Sequence, residues 1–222
     1  MIAAPLLEAR GVGRRAAGGT WLLCDVSLSL HPGERLAVLG PTGSGKTLLL
    51  RALALLDPVD EGEIRWRGAP VADDAVPAFR RGAVYLHQRP ALFDGTVEEN
   101  LRRPFALASA DGVRWGRERA VELLEWLGRD ESFLTRGAAD LSGGEAQLTA
   151  FLRALQLDPQ ALLLDEPTSA LDREAAAAFE RLVEAWYGNR PGERALVWVS
   201  HDPRQAARMT GRAVELRDGR TV

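Results

Sequence analysis

Arg35-Leu36-Ala37-Val38-Leu39-Gly40-Pro41-Thr42-Gly43-Ser44-Gly45-Lys46-Thr47 is the stretch on which the reading of this chain turns. Arg35 to Leu39 is a short apolar run that stops at a glycine, the form of a buried parallel strand. Gly40 to Thr47 fits G-x-x-x-x-G-K-[ST], the pattern of a phosphate-binding loop. Thr47 to Leu56 has helical composition until Asp57-Pro58 ends it. Strand, glycine loop and helix in that order are the context the motif demands. Of 28 lysine and arginine residues, Lys46 is the one lysine. A compact ammonium on a flexible stem enters a ring of backbone amides, and arginine's planar fork does not.

Working outward, 222 residues suit one domain, or one domain with a sizeable insertion. The formal net charge of −3 and the scattered arginines give no basic stripe, so nucleic acid is not an expected partner. Cys24 stands alone, which excludes an internal disulfide framework and suggests a reduced, cytoplasmic setting. Met1-Ile2-Ala3-Ala4-Pro5 lacks the form of a signal peptide. No apolar run approaches the ~20 residues that cross a bilayer, so any membrane-spanning part is expected on another chain.

Leu6 to Arg10 and Trp21 to Leu30 alternate apolar and polar and predict strands of a β-rich edge, with Gly11 to Gly19 as a loop between them. Glu63 to Arg67 and Gly82 to Leu86 also predict strands. From about 89 to 140 the chain turns to short arginine-rich amphipathic helices, Val113 to Leu127 being the clearest. Beyond Leu141, helix 143–157 precedes strand 161–165, helix 173–187 precedes strand 195–200, and helix 203–209 precedes strand 212–217. Such alternation predicts an α/β fold with a parallel sheet covered on both faces. The expected division is a catalytic core with a β edge at about 1–88 and 159–222, and a helical insert at about 89–158.

Gly43 and Gly45 let backbone N–H groups turn inward, and the following helix adds its positive end. Gly40, Pro41, Thr42, Gly43, Ser44, Gly45, Lys46, Thr47 and Leu48 therefore form the candidate nucleotide-binding stretch. Thr47 would give its hydroxyl to Mg²⁺ bridging the β- and γ-phosphates. Ala161-Leu162-Leu163-Leu164-Asp165-Glu166 reads as a buried strand ending in two carboxylates, with Asp165 for the metal shell and Glu166 to polarise the attacking water. In Leu141-Ser142-Gly143-Gly144-Glu145, Ser142 caps a helix and the two glycines expose amides at its positive end, a second anion site. Two phosphate sites in one small domain suggest closure on one nucleotide from two subunits.

With these motifs quoted, the chain resembles the nucleotide-binding subunit of an ABC (ATP-binding cassette) transporter nearly from end to end. The resemblance implies a P-loop NTPase with a RecA-like parallel core, an N-terminal antiparallel β subdomain and an inserted helical subdomain. Gly40 to Thr47 matches Walker A, and Gln88 matches the Q-loop glutamine that contacts Mg²⁺ or the water. Leu141 to Glu145 matches the signature. Asp165 and Glu166 match Walker B and the catalytic glutamate, Ser169-Ala170-Leu171-Asp172 matches the D-loop, and His201 matches the switch histidine on the γ-phosphate. It further implies ATP and Mg²⁺ as cofactors, a head-to-tail homodimer when ATP is bound, and a separate permease that holds the subunit on the inner face of the cell membrane. Arg89 to Leu101 resembles the surface that receives a permease helix, although Leu92 and Phe93 suit a core equally well.

The chain departs from the family where an aromatic usually stacks on the base. Arg14 stands there, and Trp21 is a substitute. Leu48 replaces a usual threonine, Glu145 a commoner glutamine, and Leu148 stands where Gln-Arg is common. A non-transport cassette of DNA-repair or chromosome type is the alternative, but those separate Walker A from Walker B by a long coiled coil, whereas Lys46 and Asp165 are 119 positions apart. A P-loop kinase would lack the signature and the D-loop. The run from Gln88 to Pro104 most resembles small bacterial subunits of iron-export type.

Overall fold

A computed structural model describes residues 4–107 and 114–222. Val113, the expected start of one helix, and Met1, Ile2 and Ala3 lie outside the described residues. The chain divides into two compact units, one of residues Met1–Tyr85, Gln160–Glu166 and Pro191–Val222, the other of Leu86–Pro159 and Pro167–Arg190.

The first unit holds two sheets. In the smaller, β1 (Leu7–Arg15) lies between β2 (Trp21–Leu30) and β4 (Glu61–Trp66), all antiparallel, and β5 (Ala69–Pro70) completes the edge. The expected loop at Gly11 to Gly19 is in fact strand as far as Arg15. Register shifts between Ala9 and Val12 and again toward Arg14 show a bulged strand, whose glycines read as a loop in sequence although their backbone is paired. Arg14 accordingly sits on β1 and pairs with Leu23.

The larger sheet has the order β10 (Arg220–Thr221), β9 (Arg212–Arg217), β3 (Arg35–Leu39), β8 (Ala195–Val199), β7 (Ala161–Asp165), β6 (Ala83–Leu86). Strands β9, β3, β8 and β7 run parallel. Every residue of β7 and β8 is buried, as the unbroken apolar runs require of strands covered on both faces. Helix α1 (Lys46–Leu53) turns Leu49, Leu50 and Leu53 into the same core as Leu36, Val38, Leu163 and Val197. Helix α2 (Val76–Gly82) has no counterpart in the sequence reading; its Phe79 is buried edge-on against Trp66, with centroids 5.3 Å apart. Helix α7 (Pro203–Met209) is capped by Asp202, which accepts from Arg204 N.

The second unit contains α3 (Val97–Arg102), α4 (Arg117–Trp126), α5 (Gly143–Leu155) and α6 (Arg173–Asn189). Helix α5 packs against each of the other three. Phe151 of α5 and Phe179 of α6, both fully buried, meet at 4.0 Å between centroids. The sequence reading left residues 167–190 with the catalytic core. They group with the second unit because Ala178, Phe179, Leu182, Val183 and Trp186 form one buried stripe at helical spacing.

Candidate functional site

The first unit gathers Lys46, Thr47, Asp165, Glu166 and His201 around the C-terminal ends of β3, β7 and β8. Ligands bind at that end of open parallel sheets. The chain leaves β3 through Gly40 at φ +141, where a Cβ would stand 2.1 Å from the Leu216 carbonyl oxygen, so only glycine fits. Gly45, at φ +101, precedes α1, and no side chain caps that helix. Its first-turn amides are therefore open to an anion. Ser44 Oγ is buried and without a partner. A Cβ on Gly43 would meet nothing within 4 Å. An orphaned hydroxyl, uncapped amides and clear space beside them fit phosphate.

Lys46 is 6% exposed, and its Nζ donates to Gly40 O and Pro41 O, each at 2.8 Å. Burial pushes its pKa down, and Glu166 and Asp165 partly offset that. At the tip of β7, buried Asp165 accepts on Oδ2 from Thr47 Oγ1 at 2.8 Å and from Tyr85 OH at 3.0 Å. Burial, with Asp165 as an adjacent negative charge, raises the pKa of Tyr85, so its hydroxyl stays a donor. Oxygen donors of this kind suit a hard cation such as Mg²⁺, which keeps few protein ligands and takes the rest from phosphate and water.

Glu166 follows Asp165 at φ +47, a left-handed conformation that costs a non-glycine residue about 1–2 kcal/mol. Its N–H bonds Val199 O at 3.0 Å, which ties the strained residue to β8. The carboxylate is 2.5 Å from His201 Nε2. Ser200 Oγ donates to Gln205 Oε1 at 2.7 Å and accepts from Asp202 N at 3.0 Å, a local turn that presents the His201 side chain, half of it exposed.

In the second unit Ser142 caps α5 through a complete capping box with Glu145. A Cβ on Gly143 would meet nothing within 4 Å, whereas one on Gly144 would approach Ala170 O at 3.0 Å, so the loop Ser169 to Asp172 abuts the turn at Ser142 to Gly144. Asp172 of that loop accepts from Ala175 N at 2.8 Å and caps α6. Arg136 grips Glu145 and holds its carboxyl down to about 2, the Ser142 amide adding to the effect. Gln88 is half-buried in this unit, beside His87, whose carbonyl accepts from Gln147 Nε2 at 3.4 Å and whose Nδ1 accepts from Arg89 N. Asn100 is fully buried and closes the following loop on Phe93 N and Phe93 O, leaving the Phe93 ring 46% exposed beneath Arg103. Phe93 is thus a surface residue.

Trp21 has Arg15 over its ring at 4.1 Å and the Gly13 backbone against it, where a Cβ would come within 2.8 Å. Arg14 faces Asp60 at 3.9 Å. The arginine on the tryptophan is therefore Arg15.

The ABC transporter family profile matches residues 23–169. The phosphate import ATP-binding protein PstB 2 of Natronomonas pharaonis is 39% identical, over 92% of this chain and 74% of its own length. The Fe(3+) ions import ATP-binding protein FbpC of Pseudomonas fluorescens is 37% identical, over 94% of this chain and 58% of its own. Among solved structures, the dimeric post-hydrolysis state of an ATP-binding cassette bound to ADP and Pi superposes with a TM-score of 0.85 at 29% identity, covering 97% of this chain and 96% of that one. This chain belongs to the ABC transporter family. It is an ATP-binding subunit of a transport system and an ATPase, and its parallel core with added β and α parts is the ABC cassette fold.

Two features of this ABC subunit escape sequence reasoning. Tyr85 lies three positions before Gln88 in sequence but shares an oxygen of Asp165, 80 positions on, with Thr47. Arg136 reads as one of many surface arginines, yet it is the main partner of Glu145. No pattern in either segment announces these pairs.

Proposed function

We propose that two copies of this subunit pair head to tail and enclose two ATP molecules. In this reading each site takes Gly40 to Leu48, Asp165, Glu166, Gln88 and His201 from one copy and Ser142, Gly143 and Gly144 from the other. The whole described chain then acts as one ABC ATPase domain with a helical subdomain. The observation that most supports the reading is the gathering of Lys46, Thr47, Asp165, Glu166 and His201 at one end of the parallel sheet. Lys46 Nζ gives up its two loop carbonyls for the β- and γ-phosphates, and the open amides of α1 hold the same oxygens. Glu166 Oε1 orients water and receives its proton as attack on the γ-phosphorus begins. His201 Nε2 lies 2.5 Å from that carboxylate in this structure and would leave it to reach the γ-phosphate. Thr47, Asp165 and Gln88 would hold Mg²⁺, which when bound neutralises charge between the β- and γ-phosphates.

Transport is proposed to run through a separate permease, the exposed Phe93 region receiving it and holding the subunit at the membrane's inner face. Among the described residues no helix is long and apolar enough to cross a membrane. The relatives named above are import subunits, which favours import over the iron-export reading of the Gln88 to Pro104 run. Glu166→Gln tests the catalytic assignment. Turnover should fall at least ~100-fold while ATP binding persists and ATP-bound dimers accumulate; ordinary turnover in that variant removes Glu166 from the chemistry.

A further inference from the structure

Helix α5 opens with a carboxylate where an anion is to be received. Glu145 Oε2 accepts from Ser142 N at 3.0 Å and from Ser142 Oγ at 3.0 Å. The serine hydroxyl thus points its proton at a neighbouring negative charge. Left bare, that charge would repel a phosphate arriving at the same amides and cancel the positive end of the helix. Two arginines and an aromatic ring surround it. Arg136 binds side-on, Nη1 to Oε1 at 2.5 Å and Nη2 to Oε2 at 3.3 Å, and Nη2 also reaches Asp140 O at 3.2 Å. Arg129 stands 3.7 Å from Oε1. Phe133 is buried, and its ring centroid lies 5.5 Å from the Arg136 guanidinium and 5.6 Å from that of Arg129. The Arg136 carbonyl accepts from Val97 N at 2.9 Å, which anchors the residue to the start of α3.

We propose that Arg136, backed by Arg129 and Phe133, is a positioning residue for nucleotide: it neutralises Glu145 and shares its oxygens, so that the Gly143 and Gly144 amides meet an arriving phosphate without repulsion and the Ser142 hydroxyl can leave Glu145 for it. A bidentate fork suits this better than an ammonium, because it occupies both carboxylate oxygens at once. The role follows from Glu145 being charged, and a neutral residue there would not need it. The inference rests on Ser142 to Gly144 being the phosphate seat.

The test is a double-mutant comparison on the full chain, with kcat and the KM for ATP measured separately. Arg136→Ala should raise KM about tenfold, the loss of one charge-assisted hydrogen bond. In the Glu145→Gln background the same change should raise KM less than about threefold, since no charge remains to neutralise. Arg136→Lys should fall between, and it carries the comparison if Arg136→Ala fails to fold. An equal rise in both backgrounds, or none in either, overturns the proposal and leaves Arg136 a structural residue. Ser142→Arg separates the underlying reading: unimpaired turnover there defeats the phosphate seat and this inference together, whereas lost turnover leaves the Arg136 results to decide.

Discussion

Glu145→Gln removes one negative charge at the start of α5 while keeping an oxygen for the Ser142 amide, so it isolates the electrostatic part of this corner's stability. Arg136's fork, aided by the Ser142 amide and opposed by burial, holds the Glu145 carboxyl at about 2 against an ordinary 4.5. At about 1.4 kcal/mol per pH unit that difference has an upper limit of about 3 kcal/mol. Arg136's side chain is 38% exposed, so water screens the pair and about 1–2 kcal/mol is the expected contribution. Because the folded value lies below the unfolded one, this stability is complete above pH ~5 and fades as pH falls towards 2. Urea midpoints of the parent chain and Glu145→Gln, taken from pH 7 down to pH 3, measure it. The parent should lead by about 1–2 kcal/mol at pH 7 and lose more than half that lead by pH ~3. A lead that does not change with pH, or no lead at pH 7, refutes the electrostatic account.

Three other outcomes follow from single contacts. Gly40→Ala puts a methyl 2.1 Å from Leu216 O at φ +141 and should cost at least ~2 kcal/mol and abolish nucleotide binding; retained binding with an unshifted melting temperature would show the turn to be plastic. Tyr85→Phe deletes one of two donors to Asp165 Oδ2 and should lower stability by about 1 kcal/mol, with a higher Mg²⁺ concentration needed for half-maximal ATPase; an unchanged Mg²⁺ titration would confine Tyr85 to packing. Phe151→Ala empties the contact with Phe179 and should destabilise the second unit by about 3–5 kcal/mol, read as earlier proteolytic cleavage within α5 and α6 than within β7 and β8.

The elements most legible in the sequence were those buried on all sides. Strands β3, β7 and β8 are short apolar runs, buried throughout in β7 and β8 and at the centre of β3, and the ends of β3 and β7 lead into the loop and the carboxylates. Helix α5 was legible from a capping serine ahead of an apolar stripe and α6 from its place in the helix-strand alternation, while the Asp172 cap of α6 came from the structure. Strand β1 beyond Arg10 was not, because a bulge with glycines is locally identical to a loop until a partner strand pairs with it. Helix α2 was missed because only Phe79 of its seven residues is buried, too little for a period to show.

For the candidate site, the residues proposed to bear the chemistry were nameable one by one, since phosphate binding demands glycine, lysine and hydroxyl at fixed neighbouring positions. Local spacing dictates such requirements, so the chain by itself determines the glycine loop at Gly40 to Thr47, the two carboxylates at the end of β7 and the capped turn at Ser142 to Gly144. Which side chains tune those groups depends on partners brought together by folding. Tyr85 on Asp165, Arg136 and Arg129 on Glu145, and Arg15 on Trp21 were decided by the tertiary structure alone. The physical reason is range: backbone amides act on residues beside them, whereas a hydroxyl or a guanidinium acts on whatever the packed core sets within about 3 Å.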